Sequence, residues 1–370
     1  MKLKIDEHFY FLLFLGIYHL FFVFISFDYV TKNGGDAFLY WLQTESTQHK
    51  SWFDFSSYGT DAVLFLNYPF AKLLSISFFF GFVLYALIGF FGFIQLYRLA
   101  LLMMKSEEMT KASKYLLYAF LLLPNTHFWT AMIGKEAIIF AALSTLFLKA
   151  YQQKFTSVAF VLSFLIVFII RPHLAFMLLL TLLIVLLFSS KMNWKQKAST
   201  FGSVTVLLGI SFYMFLQLSE IKRLDWSRIK RFNLGSLRSF EGSGSFVPIE
   251  NYSYPMKLFT FYFRPLFENS DNLIYWVLSV ENSFLLMLLS VGVFLVVKYR
   301  SIFCKDDFSK FIILFCLIGG LLFTQRYSGL GIFVRTKIMF LPYLGVVLIA
   351  FINKFWNEKY KPTLENMTND

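Results

Sequence analysis

The chain has 370 residues, of which 58% are hydrophobic, 21% aromatic and 15% charged. Soluble domains carry about 45 to 50% apolar and about 25% charged residues, so scarce charge between long apolar runs, at a mean hydropathy of +0.62, excludes an ordinary soluble enzyme and indicates a polytopic membrane protein. The net charge of +12 does not point to nucleic acid, because the basic residues are dispersed between apolar spans instead of forming one basic domain. Two cysteines, Cys304 and Cys316, make neither a CxxC metal site nor a disulfide framework, and no cofactor is implied.

A bilayer-crossing helix needs ~20 mostly apolar residues. In chain order, the runs between charged breaks predict spans at 8–27, 75–97, 115–132, 136–151, 155–170, 174–190, 201–218, 275–297, 311–325 and 336–355. The expectation is an all-α integral membrane domain over 1–370, with about ten transmembrane helices and two larger outer-face loops at 28–74 and 219–274. Residues 155–190 read as two helices meeting in a tight turn at Arg171-Pro172-His173. One helix there would be roughly 54 Å long at ~1.5 Å per residue, far more than a hydrocarbon core of ~30 Å. The first run is too long for a removed signal peptide and lacks a small-residue cleavage site, so it is expected to stay as an anchor.

Lysines in the short loops orient the spans with both termini in the cytoplasm. The cytoplasmic segments then hold 18 of the 34 basic residues. The arginines are distributed differently: Arg98 and Arg300 fall on that side, whereas Arg171, Arg223, Arg228, Arg231, Arg238, Arg264, Arg326 and Arg335 fall at or beyond the outer face. Arginine presents a planar fork of donors that matches phosphate or carboxylate. The 222–238 run reads more simply as a solvated or headgroup-neutralised face. Arg171, Arg264, Arg326 and Arg335 are embedded in apolar sequence, where ionisable groups are costly and mark function.

In this topology the helices that begin near residues 136, 174 and 336 direct their positive N-terminal ends outward. Lys135, Arg171 with His173, and Arg335 with Lys337 lie at those ends, and Pro172 suits a first helical position. Together they predict an anion site with phosphate as its occupant.

None of the five histidines is spaced as a zinc ligand pair, so no metal site is expected. His19 reads as a satisfied core histidine. His127, near Asn125, Trp129 and Lys135, and His173, beside Arg171, sit at outer helix ends where each could donate to a phosphate. Three carboxylates are candidate general bases: Asp36, within Gly34-Gly35-Asp36-Ala37-Phe38-Leu39-Tyr40, then Glu136 and Glu281. The plainer alternatives are a turn or interface residue for Asp36, a helix-dipole partner for Glu136 and a buried partner of an arginine for Glu281.

Pro124-Asn125-Thr126-His127-Phe128-Trp129, Gly134-Lys135-Glu136, Arg171-Pro172-His173, Phe263-Arg264-Pro265 with Glu281, and Arg326-Tyr327 with 331–335 and Pro342 together resemble bacterial O-antigen and exopolysaccharide polymerase-like membrane proteins of the GT-C group. That resemblance implies a GT-C-like bundle in the bacterial inner membrane. It also implies transfer of a glycan from a polyprenyl-diphosphate-linked oligosaccharide to an acceptor glycan on the outer side, beside other polysaccharide assembly proteins. On this reading Arg171, Arg264, Arg326 and Arg335, with His127, His173 and Lys135, hold the diphosphate, and one of Asp36, Glu136 and Glu281 takes the acceptor proton. The first-loop acidic motif of many GT-C enzymes is met only loosely by Asp36. Tyr40, Trp41, Trp52, Tyr58, Tyr252 and Tyr254 could stack on sugar rings, although interfacial aromatic belts account for them equally well. A lipid-linked-sugar flippase or other polysaccharide transporter is the main alternative. A membrane acyltransferase, which lacks its expected arginine-rich entrance here, and a non-catalytic assembly subunit follow.

Overall fold

Helix boundaries follow the punctuation of the sequence. The computed structural model describes residues 5–46, 51–105, 108–188, 194–218, 226–268, 272–299 and 306–359, so Arg223, Arg300 and Cys304 lie outside the described residues. Helix α1 (Ile5–Asn33) gives way to α2 (Asp36–Ser46) through Gly34 and Gly35 at φ values of 75° and 141°, a left-handed excursion that side chains resist. The other helices of the first stretch are α3 (Thr60–Tyr68), α4 (Phe78–Met103), α5 (Lys111–Leu121), α6 (Pro124–Thr130), α7 (Lys135–Tyr151) and α8 (Val158–Ile170). Pro124 opens α6 at a position that needs no amide donor, and the Ser157 side chain caps α8.

The chain continues through α9 (Pro172–Phe188), α10 (Trp194–Leu218), α11 (Trp226–Arg238), α12 (Tyr254–Phe263), α13 (Leu273–Lys298), α14 (Asp307–Phe323), α15 (Leu330–Thr336) and α16 (Leu341–Lys359). Asn272 and Asp306 cap α13 and α14 through their side-chain oxygens. Among the described residues there is no strand beyond one isolated antiparallel bridge between Phe246 and Gly329.

Among the described residues three helices, α1, α4 and α13, are long and apolar enough to cross a bilayer, and the count reaches five if two bent pairs each make one span. These helices mark the chain as a membrane protein. Length and composition thus support three to five crossings against the ten predicted. One reason is breakage: α6 and α7 meet at 113°, and Leu330–Met339 meets α16 at 57°. The other is brevity, since the 13 residues of α8 extend only about 20 Å. The described part of 155–190 does form two helices, α8 ending at Ile170 and α9 starting at Pro172. The two predicted loops are largely helical, carrying α2 and α3 in one case and α11 and α12 in the other.

The chain divides into two compact units, one of Met1–Leu101 with Tyr118–Arg171, the other of Leu102–Leu117 with Pro172–Asp370. In the first, small residues of α4 admit close neighbours: a Cβ on Gly89 would lie 2.3 Å from the Thr130 carbonyl oxygen, and one on Gly92 would lie 2.6 Å from the Phe140 ring. In the second, α9 packs on α10 and α14, and α13 packs on α16. There Gly292 and Gly319 lie against Leu348 and Phe340.

Candidate functional site: buried charge in each unit

The first unit contains Asp36, His127, Lys135, Glu136 and Arg171. Gly134 precedes α7, so Lys135 and Glu136 occupy its first turn, where a carboxylate is favoured by the helix dipole. Arg171 follows the last residue of α8. Both Glu136 and Arg171 are buried, and Arg171 Nη2 donates to Glu136 Oε1. Lys135 Nζ donates to Thr60 Oγ1 at 3.1 Å, while the Gly59 amide donates to the Ile169 carbonyl at 2.8 Å, holding the start of α3 beside the end of α8. Asn67, between α2 and α4, is bonded on both sides. Tyr85 donates to Asn67 Oδ1, and Asn67 Nδ2 donates to the Tyr40 carbonyl, both at 2.8 Å, with Tyr40 and Glu136 in electrostatic reach of the Tyr85 hydroxyl.

Glu136 and Arg171 therefore neutralise each other, although the sequence had suggested a base for one and a phosphate ligand for the other. Asp36 lies exposed at the start of α2. His127 was expected at an outer helix end. Helix α6 turns it inward, where it is fully buried, faces His19 at 2.9 Å and stacks on Phe93 at 4.1 Å, away from any solvated phosphate. His19 is buried and hydrogen-bonded, as a core histidine should be.

The second unit contains His173, Arg264, Glu281, Arg326 and Arg335. Arg264 ends α12 ahead of a cis bond to Pro265. Its fork closes on Glu268, Nε donating to Oε1 at 2.6 Å and Nη2 to Oε2, and its Nη1 donates to the Tyr252 hydroxyl at 3.3 Å. The Glu268 contact raises the Arg264 pKa further, against the opposing effect of burial. Glu281 and Asn282 are buried on α13. Lys337, also buried, donates to Asn282 Oδ1 and lies in electrostatic reach of Glu281.

Arg326 is arranged differently. It is partly buried, and its guanidinium carbon lies 4.0 Å from the centre of the Phe232 ring on α11. Ser236 of the same helix donates to the Arg326 carbonyl at 2.9 Å. The Nη1 of Arg326 and the amide nitrogen of Gln325 are buried donors with no hydrogen-bond partner. Burial lowers the Arg326 pKa, partly opposed by Tyr327. In the same unit the His173 ring lies 5.8 Å from Phe323, and Arg335 is partly buried on α15.

Sequence reasoning missed Glu268, Asn282, Gln325 and Phe232. Only Glu268 carried a signal, its spacing of four from Arg264, and Pro265 obscured it. Among the described residues no group of three or more His, Cys, Asp or Glu is arranged to hold a metal ion. No family model, no curated protein and no solved structure matches the chain.

Proposed function

We propose that the protein is a multi-pass glycosyltransferase of the polysaccharide-polymerase type in a bacterial inner membrane, both termini cytoplasmic, with a GT-C-like arrangement of more crossings than helix length alone counts. Its donor is a polyprenyl-diphosphate-linked glycan and its acceptor a second glycan. The observation that carries this reading is Arg326, whose guanidinium lies against Phe232 and whose buried Nη1, like the neighbouring Gln325 amide, has no acceptor in the protein. Unmatched buried donors cost about 1–3 kcal/mol each, so the arrangement favours an anion that brings acceptors. A diphosphate leaving group gains charge as the glycosidic bond breaks, and donors held in a dry site stabilise that charge more strongly than water does.

The acceptor hydroxyl must lose its proton to a carboxylate as its oxygen attacks the anomeric carbon and the diphosphate departs. Of the three candidates, Glu136 is engaged by Arg171 and Glu281 faces Lys337, while Asp36 is exposed. Of the other arginines expected at the diphosphate, Arg171 and Arg264 have carboxylate partners.

Purified protein in liposomes, given a polyprenyl-diphosphate-linked oligosaccharide and an acceptor, should lengthen the glycan on a gel. Arg326→Ala should abolish lengthening at normal protein abundance, and Arg326→Lys should restore only part of it, because it keeps charge without the fork. Full lengthening by Arg326→Ala would overturn the assignment.

A second reading has one observation in its favour. Each unit contains a sharply bent helix pair with an ionisable residue at the bend, Lys135 and Glu136 in the first and Lys337 in the second. Interrupted helices of this kind are the binding elements of membrane carriers. Movement of labelled carrier lipid across the liposome without glycan lengthening would favour a lipid-linked-sugar flippase.

A further inference from the structure

Hydrogen counting singles out the buried histidine pair of the first unit. His19 on α1 and His127 on α6 are both fully buried, with their Nδ1 atoms 2.9 Å apart. Each opposite nitrogen meets a backbone carbonyl: His19 Nε2 lies 3.0 Å from the Ala86 oxygen, and His127 Nε2 lies 2.8 Å from the Leu121 oxygen. Carbonyl oxygens only accept, so both Nε2 contacts need an N–H, and the contact between the two Nδ1 atoms needs another. Two neutral imidazoles supply two hydrogens for these three contacts. Every neutral arrangement leaves one contact as lone pair against lone pair, and a third hydrogen completes all three.

We propose that His19 and His127 form a proton-binding site that takes up one proton from water and shares it between the two Nδ1 atoms. The bound form is one imidazolium hydrogen-bonded to one imidazole, with no change in electron count. It ties α1 at once to α4, through Ala86, and to the end of α5, through Leu121. Aromatic faces offset the added charge: Phe93 stacks on His127 at 4.1 Å, and Phe22 stacks on it at 5.5 Å, positions in which a ring face attracts a cation. Tyr18 of α1 is a titratable group beside the pair, its ring 4.8 Å from that of His127 and its hydroxyl donated to the Leu122 carbonyl. The groups of α4 that meet the pair are Ala86, Gly89, Phe90 and Phe93, none of which titrates. Across Phe93, α7 presents Phe140, which does not titrate either. The site is independent of the glycosyltransferase reading.

The test is nitrogen NMR of the full chain, labelled with 15N-histidine and held in lipid nanodiscs, from pH 8 to pH 4, with signals assigned through His19→Gln and His127→Gln. The expected result is a single one-proton step in which both rings move together, and loss of that step at His19 in the His127→Gln variant. Two rings that stay in fixed neutral tautomers throughout, or that take up one proton each, would overturn the proposal. So would a folded His127→Gln protein in which His19 keeps the same step. If the variants fail to fold, the wild-type proton count decides the matter.

Discussion

Two arginines, one in each unit, are held in different ways. In the first, Arg171 meets Glu136, and the cation and the anion cancel inside the fold. In the second, Arg326 lies over a phenylalanine with one buried nitrogen unmatched, while Lys337, like Arg171, has a carboxylate within electrostatic reach, that of Glu281. A matched buried pair holds its own structure together and leaves little for a ligand. An arginine short of acceptors is a poor stabiliser and a good receptor. The difference separates residues whose loss should unfold the protein from residues whose loss should silence it.

The largest expected effect is on the matched pair. Removing one partner of a buried ion pair leaves the other charge stranded and costs about 3–5 kcal/mol. Arg171→Ala and Glu136→Gln should each lower the thermal midpoint in detergent sharply and reduce abundance in the membrane. The double variant Arg171→Met with Glu136→Leu should recover most of the loss, because apolar groups of similar volume often replace a buried pair without penalty. Single variants that melt like wild type would break the contrast between the two arginines, for Arg171 would then be free to serve a ligand.

The helices were legible because lipid forces each spanning segment to satisfy its own backbone, and that demand writes apolar runs into the sequence. Breaks were harder. Pro124 and Gly134 stood in view, but proline and glycine mark a loop and a kinked span alike, and the 113° bend between α6 and α7 depends on tertiary packing. Candidate residues were found by type more reliably than by role. Arg171 and Glu136 were both singled out, yet they are 35 positions apart and spend their chemistry on each other. His19 and His127 are separated by 108 positions, so neither predicts the other.

Close packing sharpens the comparison next. At Gly89 an added methyl group would meet backbone, the Thr130 carbonyl oxygen at 2.3 Å, whereas at Gly292 it would meet the end of the Leu348 side chain at the same distance. Backbone cannot swing aside. Gly89→Ala should therefore cost about 1–3 kcal/mol, the usual penalty of overpacking, and Gly292→Ala measurably less, both read from thermal melts under identical detergent conditions. Equal losses would mean that the two helix contacts are equally rigid.

A smaller effect is expected at Arg264 and Glu268, because the Glu268 side chain is 38% exposed and water screens the attraction. A double-mutant cycle with Arg264→Gln and Glu268→Gln should return a coupling of about 0.2–1 kcal/mol that shrinks as salt is added. A coupling comparable to that of Arg171 with Glu136 would move this pair into the matched class and withdraw Arg264 from any ligand-binding role.

Arg326 should show the smallest change in stability and the clearest change in function. Substitution to alanine forfeits the contact with Phe232, worth about 0.5–2 kcal/mol at a partly buried site. It also removes a buried donor that has no partner, which returns part of that loss. The net shift in melting should be close to zero while glycan lengthening disappears. That separation cannot arise from a residue whose only task is to hold α11 against the chain, since loss of such a residue would lower stability and activity together. If Arg326→Ala melts as early as Arg171→Ala, the guanidinium is structural in both units and the contrast between the two arginines fails.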